Sequence, residues 1–176
     1  LTAVQAKSLT TTQLAALSST QVLGLTTTQL VVLSTAQVGG LSTTQVAALS
    51  TTQVAALTTA QLGSLTTTQL GGLGTTAVAA LDTKQMKALT ATQLAVLTTT
   101  QLSGLTSTDV AVMTTAQMRG LTSTQVGGLS TTQMGALSSV LVASLTTTVV
   151  GALASTVLGA LTTTQVKALS STLIAS

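Results

Sequence analysis

A chain of 176 residues with no His, Cys or Glu, two Asp, five basic residues and a net charge of +3 has few side chains for acid–base or metal chemistry. Asp82 and Asp109 stand in different repeats and form no dyad, no Cys/His set offers zinc ligands, and no His stands ready to activate the many Ser hydroxyls. The expectation is therefore no enzyme, no cofactor, no metal, and no catalytic or cofactor-binding residue.

The basic residues Lys7, Lys84, Lys87, Arg119 and Lys167 are scattered, and no aromatic ring is present to stack on a base, which argues against a nucleic-acid partner. Apolar residues make up 45% of the chain, but Thr, Ser and Gln interrupt every repeat. No run approaches the roughly 18 apolar residues of a membrane span.

From Leu1 onward the chain divides into 22 octapeptides without insertion or deletion. Residues 1–176 thus form a single repeat array, and its in-phase start and end point to a segment of a longer one. The first repeat, LTAVQAKS, already shows the order of columns. Position 1 is Leu throughout except for Met113, and position 6 is Val, Leu, Met or Ile except for Ala6. These two columns are the candidate core, and Met86, Met113, Met118 and Met134 fall in them as packing residues. Position 7 holds Lys7, Lys87, Arg119 and Lys167 and reads as the outward column.

An unbroken α-helix would rotate the Leu column by about 80° per octapeptide and spread it around the helix. A straight strand would send positions 1 and 6 to opposite faces. The chain must therefore bend once per repeat.

The stretch LSTTQVAAL at 41–49 shows where. Ser42 is a candidate N-cap, Gln45 three residues later completes a capping box, and Leu41 and Val46 supply the hydrophobic staple. Position 2 is Ser or Thr in 19 repeats, with Gly74 and Asp82 also acceptable caps and Ala154 the exception; position 5 is Gln in 16. The fold class expected is all-α, a repeat solenoid of very short capped helices, one octapeptide per helix-turn unit. Helices this short are unstable alone and must stack. Small residues at position 8 are expected to let coils approach, with Gly24, Gly40, Gly72, Gly104, Gly120 and Gly128 placed for a left-handed helix end. The alternative is a β-solenoid, favoured by Thr and Val but leaving the paired Ser/Thr and Gln columns without a role beyond ladders.

The octapeptide L-[ST]-T-x-Q-[VL]-x-[AGS] resembles the repeats of long bacterial surface and secreted proteins of adhesin type, over the whole chain. The resemblance implies an extracellular or cell-surface structural protein, a rod-like stalk or filament. Its partners would be other repeats of the same protein or further copies of it, with cell-surface or glycan contact possible. The lack of Cys suits export. The alternative is a binding module presenting a regular Thr/Gln face to glycan or ice.

Later repeats depart from the pattern. Asp82 is expected to cap its helix, with Lys84 and Lys87 beside it, and Asp109 stands at N3, where the helix dipole favours a carboxylate. Leu141, Val149, Val157 and Leu173 replace Gln, either as drift in a half-buried column or as an apolar strip for lateral association. In LASTVLGA, residues 153–160, Ala154 and Val157 remove both halves of the capping box, so this repeat is expected to be the weakest.

Overall fold

The computed structural model describes the backbone of residues 1–174 and the side chains of residues 1–169. Among the described residues every regular element is helical, so the β-solenoid is not formed.

The residues group into two compact units. Leu1–Leu89 holds α1 (Ala3–Ser8), α2 (Thr11–Ala15), α3 (Ser19–Leu23), α4 (Thr27–Val31), α5 (Thr35–Gly39), α6 (Thr43–Ala47), α7 (Thr51–Ala56), α8 (Thr59–Gly63), α9 (Thr67–Gly71), α10 (Thr75–Ala79) and α11 (Thr83–Ala88). Thr90–Ser176 holds α12 (Ala91–Ala95), α13 (Thr99–Ser103), α14 (Ser107–Ala111), α15 (Thr115–Gly120), α16 (Ser123–Gly127), α17 (Thr131–Gly135), α18 (Ser139–Ala143), α19 (Thr147–Gly151), α20 (Ser155–Gly159) and α21 (Thr163–Ile174).

Within each unit a helix packs on the third helix along: α1 on α4, α2 on α5, α3 on α6, and, in the second unit, α12 on α15 and α18 on α21. A coil therefore contains three octapeptides.

Each helix starts where the sequence places its cap. Ser42 is extended (φ −70°, ψ 159°), its hydroxyl accepts from the Gln45 amide at 3.2 Å, and the Ser42 amide donates to Gln45 Oε1 at 2.7 Å. The same reciprocal pair opens α1 to α9 and α11 to α17, and Thr162 with Gln165 opens α21. The run of Thr, poor material for a helix interior, falls on N-cap, N1 and N2, where the amides have no intrahelical acceptor. That placement removes the main argument for strands.

The helix ends after five or six residues. Leu49 N donates to Val46 O at 3.1 Å in a tightened last turn, and Ser50 is already extended as the next cap. Positions 1 and 6 form the core as expected. Leu14, Val22, Leu30, Val38 and Val46 are fully buried, and so are Met86 and Met134. The Leu column from Leu25 to Leu153, Met113 included, is buried throughout. Burying such a side chain is worth about 1.5–3 kcal/mol, so the alternating columns supply most of what holds the coils together.

Two expectations are corrected. No residue among those described has positive φ, and Gly24 sits at φ −75°, ψ −7°, much like Val32 at −82°, −8°. Handedness therefore does not account for glycine at position 8, and at Gly72, Gly120 and Gly128 crowding by the preceding coil does. A Cβ on Gly72 would stand 3.1 Å from Thr43 Cγ2, and one on Gly120 would stand 2.7 Å from Ala91 Cβ, each a contact with the N1 residue of the preceding coil. The last two octapeptides also do not form separate helices. α21 runs through from Thr163 to Ile174, in a stretch where Leu173 replaces the Gln that would open a new capping box.

Candidate functional site

The most regular polar feature is the Gln column, and it faces inward. Gln45 is 2% exposed, and its amide has two ends with different work. Oε1 accepts from the Ser42 amide, which forces Nε2 to point the other way. There Nε2 meets three backbone oxygens of the preceding coil: Leu14 O at 2.9 Å, Ala15 O at 3.3 Å and Leu17 O at 2.6 Å. Leu14 and Ala15 end α2, so one side chain satisfies an N-terminal amide of its own helix and C-terminal carbonyls of another.

The register repeats without change. Gln53 reaches Val22, Leu23 and Leu25; Gln61 reaches Leu30, Val31 and Leu33; Gln85 reaches Val54, Ala55 and Leu57. In the second unit Gln125, Gln133 and Gln165 do the same to the residues 31, 30 and 28 positions earlier. For Gln5, Gln13 and Gln21 those positions fall before Leu1, and the three side chains are exposed. The column thus completes capping boxes and ties adjacent coils. It also gives a reason for Gln rather than Glu at the bridging positions of this column. A carboxylate at N3 still accepts from the cap amide, but its second oxygen would face carbonyl oxygens in a site closed to water.

The substituted members of the column are buried too. Leu141 is 4% exposed, Val157 6% and Val149 9%, so these three form no surface strip; Leu173 lies outside the described side chains. Asp109, also buried, accepts from the Thr106 amide at 3.0 Å and the Thr106 hydroxyl at 2.5 Å. Asp82 caps α11, accepting from the Gln85 amide at 2.8 Å.

What remains outside is mainly hydroxyl and small side chains, with a few large apolar ones such as Val4, Leu23, Val31 and Val140. Position 4 is exposed in every described repeat, and Thr20, Thr44 and Thr68 stand in it on successive coils. Lys7, Lys87, Arg119 and Lys167 are exposed at position 7, with Arg119 Nε donating to Ser144 O at 3.4 Å. An open groove of about 470 Å³ in the second unit is lined by Thr99, Ser123, Thr124, Gly127, Gly128, Ala152 and Ala154, none of them titratable. Among the described residues there is no group of three or more His, Cys, Asp or Glu. No helix among them is long and apolar enough to cross a membrane.

A tandem unit of this spacing, matched in overlapping stretches at residues 25–59, 59–91, 78–115 and 105–147, is that of the ALTTAQ repeat. The chain belongs to the ALTTAQ repeat family. The hexapeptide itself stands at Ala56–Gln61, and its Thr and Gln are the cap and the N3 residue of α8. The ALTTAQ unit is therefore a capping box together with the small residue and the Leu that precede it. No curated protein and no solved structure matches the chain.

Proposed function

We propose that this ALTTAQ-repeat array is a structural spacer, a rod-like stalk or filament segment of a bacterial surface or secreted protein of adhesin type. The observation that carries this reading is the double use of the Gln side chains. Both ends of each bridging amide are spent on backbone of the same chain, so coils add to one another while the outer surface keeps mainly hydroxyls, small residues, scattered cations and a few apolar side chains. Such an array is a modular length and needs no catalytic group; its nearest partners are further repeats or further copies of the protein. The extracellular setting agrees with the absence of Cys and with the resemblance of the octapeptide to surface arrays.

Exposure of position 4 favours one competing reading, a Thr face that binds glycan or ice. One set of experiments separates the two. Chains of one, two and three array lengths should increase linearly in maximum dimension by small-angle scattering, and should give no signal on a glycan array or in an ice-growth assay. A saturable glycan or ice response, reduced by replacing Thr20, Thr44 and Thr68 together, would replace the spacer with a binding module.

A further inference from the structure

Helix α10 departs from its neighbours in the first unit in three ways. Its cap, Gly74, has the backbone of a capped start (φ −65°, ψ 153°, against −66°, 161° at Thr66), yet no side chain accepts from its amides. Its N3 residue is Ala77, 4% exposed, which returns no bond to the Gly74 amide. By the register that joins Gln69 to Gly39 and Leu41, Ala77 takes the place from which the Ala47 and Leu49 carbonyls at the end of α6 would be bonded, and its side chain has no N–H to give them. The apolar anchors are nevertheless intact: Leu73, Val78 and Leu81 are all buried.

Crowding does not impose the missing cap. A Cβ on Gly74 would meet nothing within 4 Å, so a capping side chain has room. The flanking helices are also complete. α9 carries the Thr66–Gln69 box and α11 the Asp82–Gln85 box, so an opening at α10 meets a fully bonded start on either side.

We propose that α10 is a release point built into the array, the helix that opens first among α4–α11 under thermal or mechanical strain, with α9 and α11 as its stops. Apolar contacts hold α10 without fixing direction, whereas its neighbours are also held by bonds that do. The opened octapeptide yields up to roughly 26–29 Å of extended chain, slack that is taken up before the adjoining coils are loaded. The usefulness of that slack rests on the spacer reading; the opening itself does not.

Native-state hydrogen exchange on the whole chain tests it. The Ala77 and Val78 amides should exchange about ten-fold or more faster than those of Gln45 and Val46 in α6, the combined effect of a lost cap and lost side-chain bonds. The double variant Gly74→Ser/Ala77→Gln should slow them to the α6 rate and leave α6 unchanged. Equal rates in the unmodified chain, or no slowing in a folded double variant, overturn the proposal. Should that variant misfold, the reciprocal Ser42→Gly/Gln45→Ala decides: fast exchange at residues 45 and 46 supports the proposal, and its absence refutes it. A positive glycan or ice assay would remove the spacer reading and leave these exchange results standing.

Discussion

Gln45 and Leu141 occupy the same place in their repeats and look alike from their own helix. Both are almost fully buried, and in each case the cap serine accepts the N3 amide at 3.2 Å. They differ toward the preceding coil, where the Gln45 side chain donates to Leu14, Ala15 and Leu17 while the Leu141 side chain has no N–H to offer. The N3 position is therefore buried in both repeats, and is polar only where it bonds the preceding coil. The stretch α18 to α20, with Leu141, Val149 and Val157, is apolar at this column; α5 to α9 is bridged throughout.

The sharpest way to break this comparison is to keep the shape of Gln45 and remove its donor while adding charge. Gln45→Glu should destabilise the first unit by about 3 kcal/mol, because a buried carboxylate would face carbonyl oxygens without a partner. Burial raises the folded-state pKa of such a Glu above its unfolded value of about 4.3, so the native state binds the extra proton. The penalty is thus absent below about pH 4 and grows as pH rises toward the folded pKa. Urea unfolding between pH 3 and pH 7 reads both effects; a loss that does not vary with pH would show that shape, not charge, is at fault.

Exchanging the two residues tests the comparison more gently. Gln45→Leu should cost about 1 kcal/mol, and Leu141→Gln should recover about as much in the second unit by donating to the Ala111 and Met113 carbonyls, again read by urea midpoints. If Leu141→Gln lowers the midpoint, α18 has a packing of its own and is not a bridged repeat lacking its bridge.

The smallest expected effect belongs to α20, whose cap position is Ala154 and whose N3 is Val157, with no side-chain bond to its amides. Ala154→Ser should slow hydrogen exchange at residues 154–158 a few-fold, the share of one cap without its Gln, while exchange at 42–46 stays unchanged. No slowing would mean that position 2 contributes little to these helices.

How much of this was readable beforehand follows from distance along the chain. Ser42 and Gln45 are three residues apart, so the capping box, the helix start and the all-α class are local facts. The acceptors of Gln45 Nε2 lie 28 to 31 residues away, and nothing within one repeat announces them. The number of octapeptides per coil is likewise set by how successive turns stack. Glycine at position 8 misled for the same reason, since the atoms that crowd Gly72 and Gly120 belong to Thr43 and Ala91 of another coil. Gly74 was legible as a tolerable cap, but its pairing with Ala77, which makes α10 a second repeat with the deficits of α20, takes weight only once the bridge is known. The exposed hydroxyl surface was visible in outline, because at least two of positions 2 to 4 are polar in every repeat but the first.

The constant offset of the bridges also bears on how such a gene can change length. A Gln addresses its acceptors by counting back along the chain, and every octapeptide offers the same acceptors, so replication slippage that adds or drops one repeat leaves each later Gln with carbonyls to meet. The surface is not conserved so simply. With three repeats per coil, a slip of one octapeptide moves every downstream cation and Thr onto the next of the three columns, whereas a slip of three restores each to its own. Length can therefore drift freely in this architecture, while any surface pattern that matters to the organism would confine the drift to whole coils.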